Sequence, residues 1–176
     1  YDITFNSPGV SFSWSRAVVA GIRNAAISGQ RATTIRERLF NTTDQPVDVV
    51  YVITYSSGGC TGLTFNLTVT VNPSVVVNSS AADVACSGDP QSYDITSNVP
   101  TATYSWGRAA VAGISNPAVS GQTSSSITEA LINTTNAPVK VIYLIVPVAN
   151  GCPGTQFKYT VTVNPAVPTP VANVNS

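Results

Sequence analysis

The sequence predicts an all-β chain built from two tandem antiparallel β-sandwich domains. The two tryptophans, Trp14 and Trp106, lie 92 positions apart in closely similar decapeptides, and the same offset relates most of the remaining chain. A repeat of that length is a small domain with its own core rather than a solenoid unit. Within each copy, short segments alternate between apolar and polar residues, as half-buried strands do, and Gly, Pro and Asn separate them.

The early strands are clearest in the second copy. Residues 75–77 and 82–85 read as short strands ahead of a turn at residues 86–90, and residues 93–96 follow as another strand. In residues 103–106 the alternation sends Tyr104 and Trp106 to one face, which we expect to be the core. Phe12 and Trp14 have the same parity in the first copy.

Most side chains are small in residues 17–29 and in their counterparts 109–121, and glycines such as Gly21 and Gly113 interrupt both stretches. Because they have no sustained helical period, we expect an irregular connection with at most a short strand or a helical turn. Residues 126–133 return to alternation and place Glu129, like Glu37 in the first copy, among the apolar residues or at a strand edge.

The late strands are the most apolar. Residues 139–146 are rich in β-branched and aromatic residues, which predicts a central, buried strand with Tyr143, and likewise Tyr51, in the core. Residues 157–164 alternate over eight positions and form the cleanest strand pattern. About seven short strands per copy, with an early Trp and a late Tyr, are typical of an immunoglobulin-like sandwich.

Domain boundaries follow from the repeated Asn-Pro pairs at residues 72–73 and 164–165. We predict a first domain at 1–73 without its opening strand, a second at 74–165, and a segment at 166–176 that resembles the first strand of a further repeat. A head-to-tail exchange, in which this last segment of one chain fills the edge of the first domain of another, is a further hypothesis.

The composition limits the chemistry of the chain. Charged residues make up 9% of it, the formal net charge is zero and there is no His. Nucleic acids and anionic membrane surfaces select dense Lys and Arg clusters, so we expect neither as a partner, and no apolar stretch is long enough to predict membrane insertion. Without His, the usual general base and commonest metal ligand are missing, and we predict no catalytic site, metal site or cofactor.

The chain has three cysteines, so a disulfide is one interpretation. Cys60 and Cys152 are counterparts, whereas Cys86 lies just ahead of the second copy and its own counterpart would precede Tyr1. One account gives each complete repeat an internal disulfide, here Cys86 to Cys152, with Cys60 left unpaired because the numbered chain starts inside its first repeat. The alternative is free structural thiols in a reducing compartment.

Few ionisable groups recur in both copies. The only shared basic residue is Arg16, repeated as Arg108, and the shared acids include Glu37, repeated as Glu129. We therefore predict a structural ion pair in each domain rather than a catalytic carboxylate pair. Two Asn-Thr-Thr triplets, which begin at Asn41 and Asn133, match a glycosylation sequon, but we interpret them as turns.

Several motifs together carry a family resemblance. They are Cys-Ser-Gly-Asp-Pro from Cys86, Tyr-Ser-Trp-Gly-Arg-Ala-Ala-Val-Ala-Gly-Ile from Tyr104, Ile-Thr-Glu-Ala-Leu-Ile-Asn-Thr-Thr from Ile127, and Ala-Asn-Gly-Cys from Ala149 with the final Asn-Pro. In these the chain resembles the PKD-like repeats of large Bacteroidota surface proteins, which are exported by type IX secretion and include gliding-motility adhesins. The acidic turn of ordinary PKD domains is absent, so no cation site is carried over.

The resemblance implies an extracellular, cell-surface location, neighbouring repeats as partners, and a non-enzymatic role as a spacer, stalk or filament-forming adhesin segment. A module that binds a surface glycan is the first alternative, and an exposed Tyr55 or Tyr104 beside a groove would favour it. An accessory domain of a secreted hydrolase is the second alternative, and only the rest of the parent protein distinguishes it.

Overall fold

The computed structural model describes residues 1–4 and 9–167, apart from the side chain of Thr61. The chain divides into two compact units, unit 1 at Tyr1–Ser74 and unit 2 at Val75–Ser176. Strands and turns build both units, and no helix occurs among the described residues. The predicted fold class, tandem immunoglobulin-like β-sandwich domains, is confirmed.

Unit 2 is a sandwich of a large and a small sheet. The large sheet has the order β5-β12-β10-β7-β8, with β11 paired to β10, and the small sheet pairs β6 with β9. The strands are β5 (Ala82–Cys86), β6 (Pro90–Asp94), β7 (Thr103–Arg108), β8 (Val119–Gln122), β9 (Ser126–Ala130), β10 (Val139–Ala149), β11 (Cys152–Pro153) and β12 (Phe157–Asn164). All pairs are antiparallel except β12 with β5, which run parallel.

The core of unit 2 fills the space between its two sheets. The central β10 alternates strictly between buried and more exposed residues, as does β12 beside it. Tyr143 and Val161 are fully buried there, and Ile127 of the small sheet packs in the same cluster. Burial of apolar surface stabilises such a cluster by about 25 cal/mol per Å², and this is the main favourable contribution to its folding.

Unit 1 repeats the central part of that plan. Its sheet has the order β2-β1-β3-β4, formed by β1 (Val10–Arg16), β2 (Ile27–Gln30), β3 (Val47–Ser57) and β4 (Cys60–Val71). The second layer is reduced to short pairings, such as the bridge between Asp2 and Thr34, where unit 2 has β6 and β9. Residues 34–41 therefore form no strand, although their counterparts in unit 2 include β9.

The irregular connection predicted after each tryptophan strand contains one short strand, β2 or β8. Gly21 and Gly113 begin the return of the chain with φ of +83° and +87°, a region that L-residues with side chains rarely adopt. Each glycine carbonyl then accepts a 2.8 Å hydrogen bond from a backbone N–H, that of Thr42 or Thr134. The connection is thus fastened to the Asn-Thr-Thr turn.

The largest difference between the units lies at one sheet edge, which is formed by β12 in unit 2 and by its counterpart β4 in unit 1. In unit 2, β5 covers this edge and Val75 is buried, 1% exposed. Residues 75–77, predicted as a strand, form only an isolated bridge at Val77. In unit 1, no strand pairs with the corresponding edge of β4 among the described residues. Three β4 residues, Leu67, Val69 and Val71, are consequently only half-buried.

The predicted disulfide between Cys86 and Cys152 is wrong, because no such bond is formed. Cys86 lies opposite Asn164 at one end of the large sheet, whereas Cys152 pairs with Ala149 at the far end of β10. The strand β10 is 11 residues long, so the two sites are separated by roughly 30 Å at about 3.3 Å per residue. A disulfide requires Cα atoms within about 7 Å of each other.

Gly154 tests the contact between the opening segment and the sheet of unit 2. A Cβ atom at Gly154 would collide with the backbone carbonyl oxygen of Val75, whereas a Cβ at its counterpart Gly62 lies 3.0 Å from the Tyr55 oxygen. We expect Gly154→Ala to lower the free energy of unfolding of unit 2 by about 1–3 kcal/mol, and Gly62→Ala to cost unit 1 clearly less.

Urea unfolding followed by NMR measures both effects. The indole N–H groups of Trp14 and Trp106 donate to the backbone carbonyls of Ala32 and Ser124, so each resonance reports one unit. Equal losses of stability for the two alanine variants would contradict the close approach of Val75 to Gly154.

Candidate functional site

The most distinctive side-chain arrangement in unit 2 joins Arg108, Glu129 and Tyr143, the unit 2 network. Arg108 donates from Nε to Glu129 Oε2 at 2.8 Å and from Nη2 to Oε1 at 2.7 Å. The Tyr143 hydroxyl donates a short hydrogen bond to Oε2. Arg108 and Tyr143 belong to the large sheet and Glu129 to the small one, so the network connects the two layers of the sandwich.

Unit 1 contains the same arrangement, the unit 1 network of Arg16, Glu37 and Tyr51. Arg16 donates from Nε to Glu37 Oε2 at 2.8 Å and from Nη2 to Oε1 at 2.9 Å. The Tyr51 hydroxyl donates to Oε2 at 2.7 Å. Both arginine side chains are 0% exposed and both glutamate side chains 16% exposed.

Strand register explains why the arginines are buried. Arg16 follows Trp14 by two positions and therefore lies on the same inward face of β1. It is directly opposite Tyr51 on β3, just as Arg108 is opposite Tyr143 on β10. Such cross-strand neighbours place their side chains side by side, so the carboxylate is held by both at once.

The networks shift the pKa of their members. The hydrogen bond from Arg16, assisted by Tyr51, lowers the pKa of Glu37 below 4.5 although burial opposes this. Burial acts most strongly on Glu129, but Arg108 and Tyr143 together outweigh it and lower its pKa as well. Burial and then the neighbouring carboxylate raise the pKa of Tyr51 to about 12 and raise that of Tyr143 too.

This geometry supports a structural role. A bidentate arginine and a tyrosine hydroxyl occupy the carboxylate, and its lowered pKa keeps it ionised, so it is a poor general acid. Among the described residues, no group of three or more Cys, Asp or Glu side chains is arranged to hold a metal ion. Within the same residues, no helix is long and apolar enough to span a membrane.

The predicted core residues pack directly behind the networks. Trp14 meets Tyr51 edge-on at a ring-centroid distance of 5.8 Å, and Trp106 meets Tyr143 at 6.0 Å. Edge-on aromatic pairs of this kind contribute about 0.5–1.5 kcal/mol beyond the area they bury. Each tryptophan thus supports the tyrosine whose hydroxyl binds the glutamate.

The Asn-Thr-Thr triplets form turns, as the sequence predicted. The Asn133 side-chain nitrogen donates to the carbonyls of Ala137 and Val163, both at 2.8 Å, and its oxygen accepts from Thr135. Asn41 makes the matching bonds in unit 1. These amide nitrogens are engaged in holding the turn against the last strand.

Sequence reasoning missed an open groove in unit 1, of about 720 Å³. Four segments line this unit 1 groove: Tyr1 to Thr4, Val10 of β1, the end of β3 from Ile53, and β4 residues between Cys60 and Leu67. The available signal was the 92-residue offset, since Tyr1 and Gly62 are the counterparts of Tyr93 and Gly154, which contact residues 75–80 in unit 2.

Glu129→Gln tests the unit 2 network. The change leaves Arg108 buried without its counter-charge, so we expect unit 2 to lose about 3 kcal/mol of unfolding free energy. The matched variant Glu37→Gln should do the same to unit 1 and leave the Trp106 resonance unaffected. Urea titration of the two indole resonances measures both, and a loss below 0.5 kcal/mol would show that the ion pair is dispensable.

Acid should weaken both networks. Because the pKa values of Glu37 and Glu129 are lower in the folded chain, their contribution is complete above the unfolded value near 4.5 and is lost as the pH falls through the folded values. We expect the wild type to lose more stability between pH 6 and pH 3 than the Glu37→Gln, Glu129→Gln double variant. Parallel slopes in urea unfolding at the two pH values would contradict this expectation.

Comparison with curated proteins and with solved structures gives only distant structural neighbours. No curated protein shows a significant sequence match to the chain. Among solved structures, the crystal structure of DIP-gamma IG1+IG2 is similar at 14% identity, covering 88% of this chain and 83% of that one with a TM-score of 0.36. Dpr11 IG1 bound to DIP-gamma IG+IG2 is similar at 13% identity, covering 93% of this chain and 87% of that one with a TM-score of 0.34. Zebrafish RET cadherin-like domains 1 to 4 are similar at 11% identity, covering 91% of this chain and 42% of that one with a TM-score of 0.27.

A family model decides the assignment. The model of the PKD-like domain matches the chain twice, at residues 2–75 and at residues 83–167. The two matches together cover most of the chain and follow the repeat seen in the sequence. The chain therefore belongs to the PKD-like domain family.

Proposed function

We propose that the chain is a non-enzymatic structural segment of a large extracellular surface protein, where its repeats act as a spacer, a stalk or a filament-forming adhesin segment. PKD-like domains are typically extracellular structural or adhesion modules. The observation that carries the proposal is the repetition of the same buried network in both units, with arginine-to-glutamate distances of 2.7 to 2.9 Å.

Repetition of an internal network suits a spacer. Each unit has its own core and its own bidentate ion pair, so it resists unfolding without borrowing a residue from elsewhere. Binding sites, by contrast, place their charged groups where a ligand can reach them, whereas these arginines are fully buried. With a formal net charge of zero, long-range electrostatic attraction contributes little to recognition.

We further propose a cell-surface location in a Bacteroidota-type adhesin exported by type IX secretion, with neighbouring repeats as the immediate partners. The support is the motif set shared with those repeats and the double match to the family model. In such an array, the repeat adds length while each unit remains an independent folding domain.

The glycan-binding alternative has one observation in its favour. Tyr55 lines the unit 1 groove, and Tyr1 and Phe65 beside it are exposed. Tyr104, however, is buried in the core of unit 2. In unit 2 the counterpart of Tyr1, Tyr93, is hydrogen bonded to Ser79 and Ser80 and buried, so an exposed aromatic lining is not common to both repeats. The hydrolase-accessory alternative gains no support from the residues of either unit.

Single-molecule force spectroscopy tests the spacer function. Because each unit is fastened internally, we expect two separate unfolding events that release about 25 nm and about 30 nm, near 0.35 nm per residue. Glu129→Gln should lower the force of the longer event alone. A single combined event would contradict independent units, and binding to a glycan array that Phe65→Ala abolishes would favour the alternative.

A further inference from the structure

The charges of the chain are segregated, although they sum to zero. Residues 17–40 contain four arginines and one acid, and that acid, Glu37, is bound to Arg16. Their counterparts, residues 109–132, contain neither lysine nor arginine. In unit 2, residues 75–107 contain three aspartates and no basic residue. Unit 1 therefore has a basic stretch and unit 2 an acidic one.

One exposed surface of unit 1, the arginine face, consists of Arg23, Arg36, Arg38 and Phe40. Every second residue of the segment that carries it belongs to the interior. Ile35 is 4% exposed, Leu39 packs against the core and Glu37 is part of the unit 1 network. The residues between them are exposed, as alternation along an extended segment requires.

Hydrogen bonds place Arg23 beside the segment of Arg38 and Phe40. The Arg23 N–H donates to the Phe40 carbonyl at 2.9 Å. The Asn24 side chain donates to the Arg38 carbonyl at 2.9 Å and accepts from the Phe40 N–H at 3.0 Å. The Arg38 guanidinium lies 5.2 Å from the centre of the Phe40 ring, which is 44% exposed. Arginine and aromatic side chains together are typical of protein interfaces.

The exposure of this face does not depend on the open sheet edge of unit 1. Its counterparts in unit 2 are also exposed, although β6 pairs there with the full length of β9. These counterparts are all uncharged: Ser115, Thr128, Ala130 and Ile132. Both units thus present this surface to solvent, and only unit 1 makes it basic.

The acidic surface is one side of unit 2, the aspartate edge, formed by Asp83 of β5, Asp89 of the following turn and Asp94 of β6. All three residues are exposed. The strand β5 is the outermost strand of the large sheet, and β6 closes the same side, because Tyr93 stacks on Tyr159 of the neighbouring β12 at 3.7 Å. Residues 87–89 alone connect β5 to β6, so the three carboxylates lie along one side of the sandwich.

Neither surface is neutralised within the part of the chain that the structure describes. The ion pairs found there are those of the two networks, and they include none of the three arginines or three aspartates. The two surfaces also match in extent. Arg36 to Phe40 spans at most about 14 Å, and the five residues of β5 span about 13 Å. Opposite charges of similar extent make the two surfaces complementary.

We propose that the arginine face of one copy of the chain binds the aspartate edge of another copy. The three guanidinium groups pair with the three carboxylates, and Phe40 is buried in the contact. Because the two surfaces differ, the contact is heterologous, and a bound pair still has one free surface of each kind. Association therefore continues from copy to copy. This inference rests on the proposed filament-forming function and names the contact between its chains.

This contact differs from the strand exchange expected from the sequence. That exchange depends on residues 166–176, of which residues 168–176 lie outside the described part of the chain. The arginine face and the aspartate edge consist of described residues alone. The strand exchange stays a prediction, and the charge-based contact does not require it.

Complementation between two variants tests the proposal. The first variant carries the unit 2 residues in the arginine face, as Arg23→Ser, Arg36→Thr and Arg38→Ala, and the second carries Asp83→Asn, Asp89→Asn and Asp94→Asn. We expect each variant alone to be monomeric in sedimentation velocity, at a concentration where the wild type forms oligomers. Their mixture should form a dimer and nothing larger, because each partner supplies the surface that the other lacks.

Salt and a matched charge change separate this contact from nonspecific attraction. Raising the salt from about 20 mM to about 500 mM shortens the Debye length from about 20 Å to about 4 Å, and it should weaken association of the wild type at least tenfold. The control variant Lys140→Thr, Lys158→Thr also removes positive charge, but from β10 and β12, and should associate as the wild type does. The indole resonances of Trp14 and Trp106 report whether both units of each variant are folded.

Each outcome either supports or overturns the proposal. A dimer that forms only in the mixture of the two variants supports it. A wild type that stays monomeric at low salt, variants that associate alone, or a mixture that stays monomeric overturns it. A monomeric wild type whose arginine face binds heparin overturns it as well, and assigns the face to an anionic glycan. None of these results alters the two unfolding events expected for a spacer, so failure of the contact is distinguishable from failure of the proposed function.

Discussion

The buried arginine is the constraint on which each unit depends. A guanidinium removed from water must be paired, and here a carboxylate accepts two of its N–H bonds while a tyrosine hydroxyl completes the arrangement. Arginine and tyrosine come from neighbouring strands of one sheet and glutamate from the opposite layer. Pairing Arg16 or Arg108 with its glutamate therefore fixes the register of β1 on β3 or β7 on β10, and it fixes the distance between the layers. The tryptophan two residues earlier packs on the same tyrosine, so the hydrogen-bonded network and the apolar core share one side chain.

A second constraint holds the long connection that separates arginine from glutamate in the sequence. The connection begins with a positive-φ glycine, Gly21 or Gly113, and is hydrogen bonded to the Asn-Thr-Thr turn. The asparagine of that turn binds the final strand through its amide nitrogen. Glutamate precedes this asparagine by four residues, so the turn also anchors the segment that delivers the carboxylate. The motifs that recur 92 positions apart in the two copies are thus connected by hydrogen bonds within each unit.

Much of this framework was predictable because it depends on local periodicity. The alternation over residues 157–164 gave the full extent of β12, and the apolar run from Val139 identified the central β10. The Arg108 to Glu129 contact followed from the scarcity of charge, since few other partners recur in both copies. The hydroxyl of Tyr143 was missed because a tyrosine of core parity gives no indication of where its oxygen points. The Cys86 to Cys152 pairing failed for a related reason: sequence spacing shows that two residues recur, but only strand direction shows that they lie at opposite ends of a sheet.

The contrast between the units indicates how a domain with an open edge remains folded. In unit 1 the network residues and Trp14 do not line the open groove, although the end of β3 and Val10 of β1 do. The interactions that set the sandwich are therefore separate from the edge that a further strand would complete. Had Arg16 or Trp14 depended on residues of the covering segment, an uncovered edge would leave a buried charge unpaired and the core would open. Because they do not, the strand that covers the sheet edge in unit 2 is an addition to a core that residues common to both units already form.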